Sequence, residues 1–373
     1  MKKDNFSMRV LHSPTNIGNQ PWVVSRYERK QGVKSSLVVN YSTHFNYPAD
    51  KILGQLGKKT TRDVARRLFF GLTAPFKYDI LHYYFGRSLL YWDDWAPKTG
   101  YPFFDLRLAK LLGKKIFFTL QGCDVRLAGE SNKNNSFTPC HKDGCGAFVS
   151  CIGAYDKQRR DFIKTILPLC DKVFFLNPEL GHFVPTGHFL PYANVDIDNI
   201  EPIYPDIKRI PKIVHAPSDS AIKGTPLILD ALNQLKERYE FELILVQGKT
   251  HEEALAIYRS ADIAIDQVLT GWYGGVSVEL MAMGKPVLCY LRASDVHFVP
   301  ERMLAELPIQ NIRPDHLIED IAKVLEKREE WPQWGRASRQ FVERWHHPAM
   351  VVKALIDVYQ NPSLSWDLSQ YVL

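Results

Sequence analysis

One rhythm, played twice around an aperiodic stretch, constrains this 373-residue chain more than any other feature. In the first half, apolar runs at 9–12, 36–40, 78–82, 115–120 and 171–176 alternate with segments of helical period, including one that follows Asn16–Gln20, one over 103–112 and one over 156–169. Continuous apolar strands separated by helices belong to a parallel sheet, because each crossover lays a helix over a sheet face. From His188 to Pro205, proline and turn formers dominate and neither period persists, which places an interdomain linker at 191–207. The rhythm then resumes, with strands expected at 212–215, 242–247, 262–266 and 286–290 and helices over 226–239 and 251–260. The expectation is an α/β protein with two Rossmann-like domains, 1–190 and 208–345, facing each other across a cleft. A terminal segment, 346–373, carries a helix over 349–359 that returns to the first domain. Ligands in such folds sit beyond the carboxyl ends of the strands, and clefts between domains are favoured sites.

The segment from Gly271 to Leu288, GWYGGVSVELMAMGKPVL, is the most informative about chemistry. It passes from a loop of glycines and aromatics into a helix expected to begin near Gly275. The first helical turn leaves N–H groups unpaired, here those of Gly274, Gly275 and Val276, and the helix dipole adds to their preference for an anion such as phosphate. Glu279 lies one turn further on, among Val276, Val278, Leu280, Met281 and Met283. A carboxylate in so apolar a helix needs a partner, and hydroxyl groups beside a diphosphate would supply one. A diphosphate next to a polyhydroxylated ring describes a sugar nucleotide. The alternative is an ordinary solvated helix residue.

Three further strand ends converge on the same cleft. Gly18, before Asn19 and Gln20, would let backbone approach a ligand; it could equally mark a simple turn. Gln121, Asp124 and Arg126 follow the strand at 115–120 and could bind sugar hydroxyls or the acceptor, unless Asp124 caps a helix and Arg126 is solvated. Lys223-Gly224-Thr225, preceded by Ser218, combines an ammonium group, a glycine and a hydroxyl at the head of a helix, a set suited to pyrophosphate.

Composition bounds the setting. No apolar run reaches the roughly 18 residues of a spanning helix, and the first residues lack the apolar core of a signal peptide, so a cytoplasmic protein is expected. The net charge is +6, and Lys51, Lys58, Lys59, Arg62, Arg66 and Arg67 fall close together. Lys59, Arg62 and Arg66 would share a helical face, either as solvated surface or as a patch resting on anionic lipid at the inner face of the membrane. No nucleic-acid signature accompanies the charge. Cys123, Cys140, Cys145 and Cys151 could supply a structural zinc, but lack the tight paired spacing of strong zinc motifs, and reduced, partly buried thiols are the simpler reading.

Taken together, these residues resemble glycosyltransferase family 4, enzymes of the GT-B architecture. Lys223-Gly224-Thr225 is similar to the family's donor-phosphate site, Glu279 to Val287 to the second half and tail of its E-x7-E motif, and Gln121 to Asp124 to a segment in which many members carry His-Gly-x-Asp. The resemblance implies transfer of a sugar from a nucleotide diphosphate, with retention, to a lipid-linked or polysaccharide acceptor. It implies no cofactor beyond the nucleotide-sugar substrate and no metal held by the protein. Gln121, Asp124 and Lys223 then stand in catalytic positions, with Gly18, Ser218, Gly224, Gly274, Gly275, Val276 and Glu279 lining the donor. Three positions depart from the pattern: Gly271 falls where the first glutamate would, Ser218 where an arginine would, and Gln121 where a histidine would. Asp266, Trp272 or Tyr273 are candidates to replace the glutamate, and Arg126 or Arg292 the arginine. A non-catalytic binding protein and a nucleotide-sugar epimerase are the alternatives.

Overall fold

A computed structural model describes residues 8–57, 60–90 and 103–372. Two parallel sheets organise it. The first comprises β1 (Arg9–Ser13), β2 (Lys34–Val39), β3 (Lys51–Ile52), β4 (Ile80–Tyr84), β5 (Lys115–Leu120), β6 (Lys172–Phe175) and β7 (His188–Phe189), in the spatial order β3-β2-β1-β4-β5-β6-β7. The second comprises β8 (Lys212–His215), β9 (Glu242–Leu245), β10 (Ile263–Ile265), β11 (Val287–Cys289) and β12 (Gln310–Asn311), in the order β12-β11-β10-β8-β9. The first sheet reverses direction between β1 and β4, and the second between β8 and β10. At such points the loops leaving adjacent strands diverge to opposite faces and open a crevice.

The central strands fall within about two residues of their expected positions, and the shifts have local causes. Tyr78, expected to open a strand, instead ends the helix Thr61–Lys77, its N–H bonded to the Ala74 carbonyl. The strand therefore starts at Ile80 and runs on through the buried Tyr83 and Tyr84. The two-residue edge strands β3, β7 and β12 are too short to leave a periodic trace. β7 lies where the proline-rich stretch begins, so the sheet extends to Phe189.

Of the early basic cluster, Lys58 and Lys59 lie outside the described residues. Arg62 and Arg66 sit on the helix Thr61–Lys77, whose first turn is capped by the Thr60 hydroxyl. Arg67 does not face solvent: it is buried and donates to the Asn40 carbonyl.

The lobes are packed together. The edge of Phe189 meets Trp272 at 6.0 Å between ring centroids, and Phe175 meets Phe298 at 5.9 Å. A Cβ on Gly181 would stand 2.5 Å from the Phe298 ring. Arg339 fastens the connecting stretch, its Nη1 donating to the Ile200 and Ala282 carbonyls at 2.7 Å each. The helix Trp331–Trp345 packs on the helix Gly275–Ala282 of the second lobe. After His346 the chain crosses back, and Val351, Leu355 and Tyr359 of the helix Pro348–Gln360 join Val10, Val23 and Phe174 in the core of the first lobe.

Candidate active site between the lobes

A cavity of about 430 Å³ lies where the two reversal points face each other. The first lobe contributes Asn16, Gly18 and Gln20 after β1 and Gln121 after β5; the second contributes Ser218 and Lys223 after β8, and Thr270, Gly274, Gly275, Val276 and Glu279 after β10. Eight of the ten residues given catalytic or donor-lining positions from sequence thus share one wall system. Asp124 and Gly224 do not line it.

Lys223 ends a one-turn helix, Ser220–Lys223, whose start is capped by the Asp219 carboxylate accepting from the Ala221 and Ile222 N–H groups. Its ammonium group is buried and donates to Asp266 Oδ1 at 2.8 Å. The other carboxylate oxygen of Asp266 accepts from the Gly274 N–H at 2.6 Å and the Ser277 hydroxyl at 2.7 Å. Burial raises the Asp266 pKa, but Lys223 and these donors more than offset it and hold the carboxyl below its ordinary range. The Gly274 N–H, expected to face an anion, is therefore already occupied. Those of Gly275 and Val276 have no protein acceptor among the described residues, as the first positions of a helix require. Asp266, one candidate for the missing glutamate, braces this loop from within.

Gly224 has a packing role. Its φ of +76° lies in the left-handed region, and a Cβ there would stand 2.5 Å from Val268. The Thr225 hydroxyl is also spoken for: it pairs with His215 Nε2 at 2.8 Å, while His215 Nδ1 faces the Ile265 carbonyl. Burial lowers the His215 pKa, in keeping with a neutral ring that donates from Nδ1 and accepts at Nε2.

Glu279 points into the cavity and meets His251 Nε2 at 2.7 Å. Burial of His251 opposes its protonation, yet the Glu279 carboxylate prevails and raises the histidine pKa. Across the cleft, Tyr47 of the first lobe places its ring 4.9 Å from that of His251. The tyrosine pKa rises through burial and through the charge of Glu279. Neither Tyr47 nor His251 was identified from sequence. His251 stands 28 residues from Glu279 at the head of the helix His251–Ser260, and nothing local marks the pairing.

Several expected substitutes are placed elsewhere. Trp272 and Tyr273 are 1% and 0% exposed and stack on each other in the core joining the lobes, away from the cleft. Gly271 has φ of +76°, and a Cβ there would meet Arg292 at 2.7 Å, so the fold leaves no room for a glutamate. Arg292 is held by Asp295, Glu179 and the Phe137 and Leu269 carbonyls. Arg126 reaches the cavity wall but is paired with Glu179. Asp124 turns back on its own loop, accepting from the N–H groups of Gln121 and Gly122. Burial raises its pKa, and those two bonds only partly counter the rise. Ser218 is exposed at the rim.

A further set of groups was given no role of its own from sequence, although Gln20 belongs to the Gly18-Asn19-Gln20 turn. Asn16, Gln20, Asn194 and Thr270 each line the cavity, are less than a tenth exposed, and carry one buried polar atom with no partner among the described residues. The other ends of the amides are fixed by backbone: Asn16 Nδ2 donates to the Pro48 carbonyl, Asn194 Nδ2 to the Gly275 carbonyl, and Gln20 Oε1 accepts from the Ala193 N–H. Gln121 follows the same pattern, with Nε2 on the Ile17 carbonyl and Oε1 unpartnered among the described residues. The free ends are therefore three carbonyl oxygens, one amide N–H2 and one hydroxyl. A mixture of donors and acceptors matches hydroxyl groups better than an anion.

No group of three or more His, Cys, Asp or Glu side chains among the described residues is arranged to hold a metal ion. All six cysteines are free, and Cys140 and Cys151 pack with Ala128 and Phe148 in a small apolar cluster.

Two Rossmann-like lobes with a polar cleft at their facing strand ends define the GT-B architecture. Sucrose-phosphate synthase from Thermosynechococcus elongatus is similar over 95% of this chain and 98% of its own, with 14% identity and a TM-score of 0.62. A glycosyltransferase from Rickettsia africae is similar over 96% and 99%, with 12% identity and a TM-score of 0.59. Anabaena HepE, solved in complex with UDP and glucose, covers 95% and 99%, with 10% identity and a TM-score of 0.56. Identities this low establish a common fold. No protein-family model and no curated protein sequence matches the chain.

Proposed function

We propose that this protein is a glycosyltransferase of the hexosyltransferase type, similar to family 4, that moves a sugar from a nucleotide diphosphate to an acceptor hydroxyl. The observation that carries the reading is that one cavity is lined both by a helix N-terminus and by amide and hydroxyl side chains with unpartnered polar atoms. The helix N-terminus suits phosphate and the amides and hydroxyl suit a polyol. In this reading the first lobe holds the acceptor, the second holds the donor, and 191–207 connects them. The solved relative with UDP and glucose supports a nucleotide sugar as the donor class.

Cleavage of the anomeric C–O bond places negative charge on the departing diphosphate and positive charge on the sugar ring. The N–H groups of Gly275 and Val276 are fixed dipoles that favour the first of these. Lys223 joins them by leaving Asp266 or by bridging to it. Glu279, oriented by His251, accepts from the ribose hydroxyls. Gln121 and the amides of Asn16, Gln20 and Asn194 hold the sugar and acceptor. Closure of the lobes excludes water and presents the acceptor on the face from which the diphosphate leaves, the geometry of retention. The acceptor is lipid-linked or a growing polysaccharide, and the reaction takes place in the cytoplasm at the inner face of the membrane.

Release of nucleoside diphosphate is the direct test, using a panel of nucleotide sugars with glycolipid and oligosaccharide acceptors. Turnover with at least one donor is expected, and Asn194→Ala should lower it about tenfold, the weight of one hydrogen bond. The Lys223–Asp266 pair favours a second reading, a protein that binds nucleotide without chemistry. Saturable nucleotide binding with no diphosphate release from any donor would select it.

A further inference from the structure

The helix Thr61–Lys77 is apolar on two sides. One stripe, including Phe70, Gly71 and Ala74, faces the core of the first lobe. A second, Arg62-Ala65-Phe69-Leu72-Phe76, follows the same helical spacing and faces solvent, with Phe69 at 67%, Leu72 at 41% and Phe76 at 62% exposure. The neighbouring helix, Phe104–Leu111, packs beside it and exposes Phe104 at 44% and Leu111 at 86%. Half of the sixteen large apolar side chains exposed among the described residues fall between residues 52 and 112. A concentration of this kind marks an interaction surface.

The sign of the surrounding charge selects the partner. In sequence, residues 51–77 hold seven basic residues and one acidic one; Lys51, Arg62 and Lys77 are exposed and Arg67 is buried. Arg62 begins the exposed stripe and Lys77 ends it. The apolar side chains stand out from a helix ridge, more than half exposed at Phe69, Phe76 and Leu111, rather than lining a groove that could receive another protein's side chain. A ridge of phenylalanine and leucine between cationic ends is the form that lies in the boundary between lipid headgroups and acyl chains. No helix among the described residues is long and apolar enough to cross a membrane.

We propose that Phe69, Leu72 and Phe76, with Phe104 and Leu111 beside them, seat the first lobe on an anionic lipid bilayer. This deepens the acceptor assignment above, since it rests on a lipid-borne acceptor for its purpose, but its evidence is independent of the chemistry in the cleft. The test is co-sedimentation of the full chain with vesicles of phosphatidylcholine alone and of phosphatidylcholine mixed with phosphatidylglycerol. Binding to the mixed vesicles should be at least about tenfold stronger and should weaken with salt. It should fall about tenfold or more both in Phe69→Ser/Leu72→Ser/Phe76→Ser and in Arg62→Glu/Lys77→Glu. The thermal shift produced by UDP should be the same in both variants as in the parent, which shows that the fold and cleft are intact. Absence of vesicle binding, equal binding to both vesicle types, or variants that bind like the parent would each overturn the proposal. So would an apolar variant that changes oligomeric state on gel filtration and leaves vesicle binding alone. Vesicle binding without any UDP shift would support this surface and count against the donor site instead.

Discussion

Lys223 and Asp266 form a buried ion pair whose two members do different work. Asp266 holds the ammonium group, the Gly274 N–H and the Ser277 hydroxyl together, and so sets the shape of the loop that opens the helix Gly275–Ala282. Lys223 is a cation beside that loop, its Nζ 3.0 Å from where a Cβ on Gly274 would stand. Lys223→Ala is expected to lower turnover about a hundredfold, the effect of losing one preorganised donor. It should also destabilise the protein by about 3–5 kcal/mol, because a carboxylate is left buried without its partner. Adding Asp266→Asn should return much of the stability but none of the turnover. Thermal unfolding and initial rates on the same samples separate the two effects, and near-normal turnover in the single variant removes Lys223 from the chemistry. Lys223 was legible in the sequence as a cation ahead of Gly-Thr, and Glu279 as a carboxylate in an apolar helix. Their partners were not, since Asp266 lies 43 residues from Lys223 and His251 lies 28 from Glu279. The amides of Asn16 and Asn194 were hidden for a different reason, and Gln20 entered only as part of the turn after Gly18: a buried amide leaves no periodic pattern, and only tertiary structure shows which end is unpaired.

Among the elements, the central strands were read correctly because each is a continuous apolar run, whereas the edges were missed because two residues cannot show a period. The Gly271–Tyr273 loop was read as part of the binding surface on the strength of its aromatics. Its structure assigns them to the contact between lobes, where Phe189 packs on Trp272 and Tyr273 OH pairs with His346 Nε2 at 2.8 Å. His346 sits where the chain leaves the helix Trp331–Trp345 to return to the first lobe, and its Nδ1 faces the Tyr192 carbonyl at 2.7 Å. Nδ1 must donate there, so Nε2 accepts the tyrosine proton and the ring is neutral. Burial lowers its pKa to about 4 from an ordinary 6.5, against the smaller opposing effect of the Tyr192 carbonyl. The unfolded chain therefore takes up this proton first as pH falls. The associated stability is complete above about pH 6.5 and is lost between there and pH 4, a change on the order of 3 kcal/mol. His346→Gln can keep both hydrogen bonds without titrating. Melting temperatures measured across that range should fall more steeply for the parent than for the variant, and parallel curves would contradict the assignment.

At the scale of the whole molecule, the double strand–helix rhythm foretold two lobes, and the reversal points of the two sheets explain why loops far apart in sequence meet. The depth of the contact between lobes could not be read in the same way, because it depends on Phe189 meeting Trp272 and Phe175 meeting Phe298 across more than 80 residues. The central claim is that the cleft holds a nucleotide diphosphate, with its phosphates at the open end of the helix Gly275–Ala282. A crystal structure of the protein soaked with UDP or GDP tests it most directly. The account predicts phosphate oxygens on the N–H groups of Gly275 and Val276, Lys223 turned from Asp266 toward them, and ribose hydroxyls on Glu279. Nucleotide bound away from those groups, or a cleft that stays closed by the protein's own side chains at saturating nucleotide, would contradict it.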